Sequence, residues 1–219
     1  MTGERPADDI AGSLAAHRTL LDRLATLTDA QARQPSRLPG WTVGHVLTHL
    51  ARNADSHARA FAAAAEGRSG VARYGIGTSQ RDDEIEAGAG RSAAELVADV
   101  ASSAEALERC WATCPDGAWA VVGRSGTGAA EPVAQLPWKR WREVEVHHAD
   151  LGLGFGFEDW SSSYVRRELR LAEMAWRASR PMGLTPLPAA ANALPPATRL
   201  AWLLGRVEIE GLPAAPPWL

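Results

Sequence analysis

Apolar residues recur at helical spacing in several long stretches of this chain. From Ile10 to Leu27, the residues Ile10, Leu14, Leu20, Leu21, Leu24 and Leu27 fall mostly on one stripe, the pattern of an amphipathic helix. Leu38-Pro39-Gly40-Trp41 reads as a turn. Thr42 is then the N-cap of a second helix, which runs through VGHVLTHLARNADSHARAFAAAAE and stops at Gly67. Ser92 with Glu95 three residues later is a capping box for a third helix, ending near Cys114-Pro115. A fourth begins near Pro137, a favoured first-turn residue, carries WKRWREVEVHHADL and stops at Gly152. Ser161 to Ser179 predicts a fifth.

Two stretches break this pattern. Residues 68–90 are rich in glycine and lack clear periodicity, so they read as a long loop of the kind that is often functional. Residues 116–135 also read as irregular, with a short strand over Trp119–Val122. After the fifth helix, a Pro- and Ala-rich stretch leads to a short helix (Thr198 to Leu204) and a strand over Arg206–Glu210. The expected fold is therefore mainly α. A four-helix bundle occupies residues 1–155, and a short α/β C-terminal segment, reduced in size, occupies 156–219. The run Gly152 to Phe157 (GLGFGF) is not a dinucleotide loop, because it follows a helix and no Rossmann strand precedes it.

Composition narrows the function classes. The chain has 219 residues, enough to bury a substantial core. Its formal net charge is −3, which gives a nucleic-acid partner no electrostatic support. No apolar run approaches the ~20 residues of a membrane span. The polar, acidic start MTGERPADDI is not a signal peptide, and a cytoplasmic location is expected. Cys110 and Cys114 are too few for a disulfide framework or a zinc ribbon, and are expected to be reduced, half-buried thiols.

The chemistry-bearing residues sit on the second and fourth helices. Glu143 and His147 are four apart, so they share a helix face with Cβ atoms about 5–6 Å apart. One carboxylate oxygen and one imidazole nitrogen can then meet at one ion. His49 lies mid-helix, with Val46, Leu50 and Asn53 as turn-neighbours, so its face points inward. A histidine from one helix with Glu-x-x-x-His from another makes three protein ligands with open positions, the arrangement of a catalytic zinc. Spacing alone does not choose this set. His45 and His49 form an H-x-x-x-H pair, Glu145 and His148 offer other ligands, and any of the histidines can be an ordinary satisfied polar residue. His17 and His57 are expected on the solvent side. Trp41, Trp138 and Trp141 flank the ligand blocks, where they either wall a pocket or close the core; core packing is the commoner role.

The blocks GWTVGHVLTHLARNAD and LPWKRWREVEVHHADLG resemble the mycothiol-dependent maleylpyruvate isomerase family of the DinB-like superfamily. The segment RDDEIEAGAGR (Arg81 to Arg91) and the tail TRLAWLLGR (Thr198 to Arg206) are similar to it too, in the same order. The resemblance implies that His49, Glu143 and His147 hold a divalent metal, zinc by ligand type, and that mycothiol is the thiol cofactor. It places Arg206 near the active site; Arg81, Arg142 and Arg206 are the candidates to bind a dianionic substrate, with Arg81 and Arg206 assigned to catalysis. The implied reaction is cis–trans isomerisation of maleylpyruvate. A low-molecular-weight thiol adds to the double bond of this small electrophile, the new single bond rotates, and the thiol leaves. A mycothiol S-transferase, which keeps the adduct, shares the addition step and is the alternative. A non-catalytic metal-binding protein is the second alternative.

Overall fold

The helices begin where their caps dictate. In the computed structural model, which describes residues 3–72, 79–125, 127–178 and 185–215, Thr42 accepts a hydrogen bond from the backbone N–H of His45 and opens a 23-residue helix. Ser92 accepts from Glu95 N–H in the expected capping box. Pro137 lies in the first turn of its helix. In chain order the elements are α1 (Ala7–Leu24), α2 (Asp29–Ala32), α3 (Val43–Ala65), α4 (Ser79–Ala89), α5 (Ala93–Thr113), β1 (Val122–Arg124), β2 (Ala130–Pro132) and α6 (Leu136–Asp150). Gly67, with φ +71°, follows α3, and Gly152, with φ +70°, follows α6, a left-handed conformation that glycine adopts without strain.

These elements form the first of two units, residues 1–153. The four long helices close a ring of neighbours: α1 lies against α5 and α6, and α3 lies against the same two. The apolar stripes meet inside the ring. Leu20, Leu24, Leu47, Leu50, Leu96 and Leu107 are all fully buried, each contributing about 1.5–3 kcal/mol of transfer free energy. An aromatic cluster packs there too, with Phe61 edge-on to Trp119 at 5.0 Å and to Trp111 at 6.5 Å. The chain thus has the mainly helical bundle that its periodicity predicts.

Three expectations need correction. The stretch read as a loop over 68–90 contains α4. Its polarity and glycines hide the helix, but a glycine on each of α3 and α4 is a contact point. A Cβ on Gly44 would lie 2.2 Å from the Ala89 carbonyl oxygen, and one on Gly88 would lie 2.5 Å from Thr48 Cγ2. Backbone approach against α3 therefore fixes α4, and Ile85 seals the contact at 2% exposure. Residues 73–78 of the same stretch lie outside the described residues.

The strand expected at Trp119–Val122 starts later, at Val122, and pairs antiparallel with β2 in the register Val122↔Pro132, Gly123↔Glu131, Arg124↔Ala130. Trp119 belongs instead to a 3-10 turn over Asp116–Ala120 that sinks its ring into the aromatic cluster.

The second unit, residues 154–219, holds α7 (Ser162–Ala178), α8 (Ala189–Asn192) and α9 (Pro196–Leu203). Trp176 packs on Trp202 with ring centroids 4.9 Å apart, and Arg199 donates to Glu173 at 2.9 Å, tying α9 to α7. The expected strand over Arg206–Glu210 is irregular. It lies between two left-handed glycines, Gly205 (φ +68°) and Gly211 (φ +80°), and no strand among the described residues pairs with it; an isolated strand leaves its backbone groups unsatisfied. The last residue of the expected fifth helix, 179, lies outside the described residues.

Candidate metal centre

The capping of α3 fixes its helical phase, and that phase points His49 between α3 and α6. Glu143 and His147 rise from α6 one turn apart to meet it. His49 Nε2 lies 2.9 Å from Glu143 Oε2, and His147 Nε2 lies 3.4 Å from the same oxygen. The imidazole rings meet edge to face, 4.7 Å between centroids. His49 is 5% and His147 9% exposed, while the Glu143 side chain keeps 24%, so the cluster opens to solvent at the carboxylate.

These separations fit a common ion. Ligands bound at about 2.0–2.1 Å, at tetrahedral or right angles, sit about 2.9–3.4 Å from one another. One oxygen and two nitrogens converge within 4.8 Å, and no other group of three or more such residues among the described ones does so. Behind His147, Nδ1 lies 2.9 Å from Asp150 Oδ2, and Asp150 is 1% exposed. A carboxylate behind a histidine fixes the ring and makes its other nitrogen a better ligand. The sequence reading missed Asp150. Its signal was available, since Asp150 follows His147 by three residues on the same helix.

The electrostatics divide the two histidines. Burial lowers the His49 pKa, with help from His147 and Arg81, and the hydrogen bond with Glu143 only partly offsets this. Burial opposes the charge on His147 too, but Asp150 and Glu143 on either side outweigh it and raise its pKa. Burial would raise the Glu143 carboxyl; hydrogen bonds with His147 and His49 and their charge outweigh that and hold it well below the carboxylate range.

The other candidates fall elsewhere. His45 is occupied by its cap, with Nδ1 2.7 Å from Thr42 Oγ1, and by Glu86 at 3.2 Å. His148 is buried at 2% but lies outside the cluster. His17 and His57, assigned to solvent from the sequence, are 2% and 1% exposed. α3 is covered by α4, α5 and α6, which leaves His57 no solvent face. His17 is drawn inward by Glu108, 2.7 Å from Nδ1, by Arg140, which donates to Nε2 at 2.9 Å, and by Trp111, whose ring it stacks on. Trp41 lies 5.8 Å from His49 and lines the site. Trp141 packs on α1 instead, where a Cβ on Gly12 would meet its ring at 2.3 Å. Arg142 sits 5.8 Å over the Trp138 ring. Arg81, on α4, reaches the cluster with Nη2 3.3 Å from His49 Nδ1. Arg206 belongs to the second unit, where it donates to the Leu204 carbonyl at 3.1 Å. Cys110 and Cys114 are free thiols, half-buried, and burial pushes both pKa values up. No helix among the described residues is long and apolar enough to cross a membrane.

Two histidines and a glutamate thus converge from facing helices of a bundle. The sequence profile of the mycothiol maleylpyruvate isomerase N-terminal domain matches residues 13–152, and the chain belongs to that family. In fold the chain is similar to the crystal structure of a mycothiol-dependent maleylpyruvate isomerase, with a TM-score of 0.83 and 22% identity over 97% of this chain and 96% of the other. A histidine-to-alanine mutant of that isomerase matches with a TM-score of 0.82 at 21% identity, over the same shares of both chains. No curated protein matches.

Proposed function

We propose that this protein is a metal- and mycothiol-dependent enzyme that isomerises maleylpyruvate or a closely related cis-unsaturated diacid. The observation that carries this reading is the convergence of His49, Glu143 and His147 at ligand spacing inside the family's own domain. A bound divalent ion, zinc by donor type, would lower the pKa of an incoming thiol or take up charge that develops on the substrate's carbonyl oxygen. The rest falls to the protein and the cofactor. The thiolate adds to the carbon–carbon double bond, which becomes single and rotates; expulsion of the same thiolate restores the double bond in the trans form. No proton, electron or thiol is consumed.

The protein's own thiols suit this scheme, since burial makes Cys110 and Cys114 poor thiolates and the nucleophile comes from outside. Trp41 beside His49 walls the thiol from water on one side. Arg81, at the cluster, is proposed to hold a carboxylate of the substrate. A cytoplasmic location accords with a reduced small-thiol cofactor.

The test mixes zinc-loaded protein with mycothiol and maleylpyruvate and follows both product and thiol. Isomerised product with the thiol returned after many turnovers is the expected result. One thiol consumed per electrophile would make the protein a mycothiol S-transferase. Bound zinc with no turnover on a panel of electrophiles would make it a metal-binding protein without catalysis.

A further inference from the structure

α7 has two unlike faces. Its inner face, Tyr164, Val165, Glu168, Ala172 and Trp176, is buried, and α9 lies against the helix. Its outer face carries Arg166, Arg170, Met174 and Arg177, all exposed. At 3.6 residues per turn these four side chains fall within a sector of about 80°. Glu173, the acid at the edge of that sector, is taken up by Arg199 at 2.9 Å. Arg166, Arg170 and Arg177 make no ion pair among the described residues. Met174 is 63% exposed, the most open large apolar side chain among the described residues. A lone exposed methionine is ordinary. One set among three unpaired arginines forms a face of the two residue types, Met and Arg, that protein interfaces favour over the rest of the surface.

The chain itself supplies a face of the opposite sign. α4 buries Ile85 and Ala89 and packs Gly88 on Thr48 of α3. That turns Asp82, Asp83 and Glu86 outward, all exposed, within a sector of about 100°. Asp82 and Asp83 make no ion pair among the described residues. Ala87, exposed beside them, is small enough to seat a methionine. The two faces match in length, about 16 Å each. They also match in step, since Arg166 and Arg170 on one helix and Asp82 and Glu86 on the other are each separated by about 5–6 Å. A lipid surface or a nucleic acid fits the arginine face less well, because the chain's net charge of −3 opposes the approach of either.

We propose that α7 of one copy of this chain docks on α4 of a second copy, with arginines and carboxylates paired around Met174. Each chain carries both faces, so two copies are complementary to one another. Exposed charge pairs are weak and screened by salt, so the association is weak and salt-dependent. It brings the second copy against the helix that carries Arg81.

Sedimentation velocity of the full chain tests this. Wild type should form a concentration-dependent dimer in about 0.02 M salt and be mostly monomeric in about 0.5 M, where charges are screened within a few ångströms. Arg166→Glu with Arg170→Glu makes both faces acidic, and Asp82→Lys with Asp83→Lys makes both basic. All four positions are exposed, so each double variant should keep the wild-type helical circular dichroism and be monomeric at low salt. Mixed in equal amounts, the two double variants should associate again, since every face then meets its opposite; a variant damaged in its fold would not be rescued. Met174→Ser should weaken the wild-type dimer about three- to tenfold. A wild type that stays monomeric at low salt would overturn the proposal, as would a dimer that either double variant leaves intact. Monomeric wild type that binds phosphatidylserine vesicles, and loses them in Arg166→Glu with Arg170→Glu, would overturn it in favour of a lipid surface.

Discussion

The first unit contains the same chain of groups twice. At one place Arg140 donates to His17, and His17 to Glu108; at the other Arg81 donates to His49, and His49 to Glu143. Burial keeps both histidines neutral at ordinary pH, His17 with a pKa of about 4. The surroundings differ. Arg140 is fully buried and also donates to the Leu50 carbonyl at 2.7 Å and to Asn53 Oδ1 at 3.0 Å. That network joins α1, α3, α5 and α6. Arg81 has one long hydrogen bond and an unpartnered Nε, and its chain continues into a second histidine backed by a buried aspartate. A buried network that ties several helices together holds them in register; one that opens to solvent at a carboxylate can meet a ligand.

Breaking each network should give different losses. The largest effect belongs to the open one. His49→Ala or His147→Ala should abolish bound zinc, about one ion per chain falling to none by elemental analysis, with the helical circular dichroism retained. Full zinc in both variants would remove the distinction between the two networks.

Next comes the closed one. Arg140→Ala leaves His17 Nε2, Asn53 Oδ1 and the Leu50 carbonyl without their donor in a dry core, and should cost at least about 3 kcal/mol in denaturant unfolding. A loss under about 1 kcal/mol would mean that this network does not hold the bundle together.

Acid provides the third comparison. The folded pKa of His17 lies below its unfolded value of 6.5, so the unfolded chain takes the proton first. Stability is therefore fully present above pH 6.5 and lost as pH falls toward 4, by about 3 kcal/mol from this group. Unfolding free energies measured across that window should show the slope in wild type and a flatter one in His17→Gln. Equal slopes would assign the acid sensitivity to other groups.

The smallest effects should come from removing what the bundle does not need. Chelation should leave the helical signal nearly unchanged, because the leucine and aromatic core stands without an ion. His148→Ala should retain zinc, since His148 lies outside the cluster, although its burial predicts some loss of stability.

The sequence by itself determined the caps, the four long helices and the cluster. Thr42, Ser92 and Pro137 set helix starts through local hydrogen bonds and a fixed φ, and the i, i+4 spacing of Glu143 and His147 is a property of any helix. The choice of His49 over His45 needed the family resemblance, because spacing treats the two alike. Tertiary structure decided the rest. α4 packs closely on α3 because Gly44 lets the Ala89 carbonyl approach and Gly88 makes room for Thr48, which no periodicity announces. His17 and His57 are inside because neighbouring helices cover them, although their own helices offer no such signal. Residues 206–210 are irregular because a strand requires a partner strand, and none among the described residues lies beside them. Arg140 and Arg81 look alike in the sequence; packing brings three acceptors to Arg140 and, among the described residues, one to Arg81.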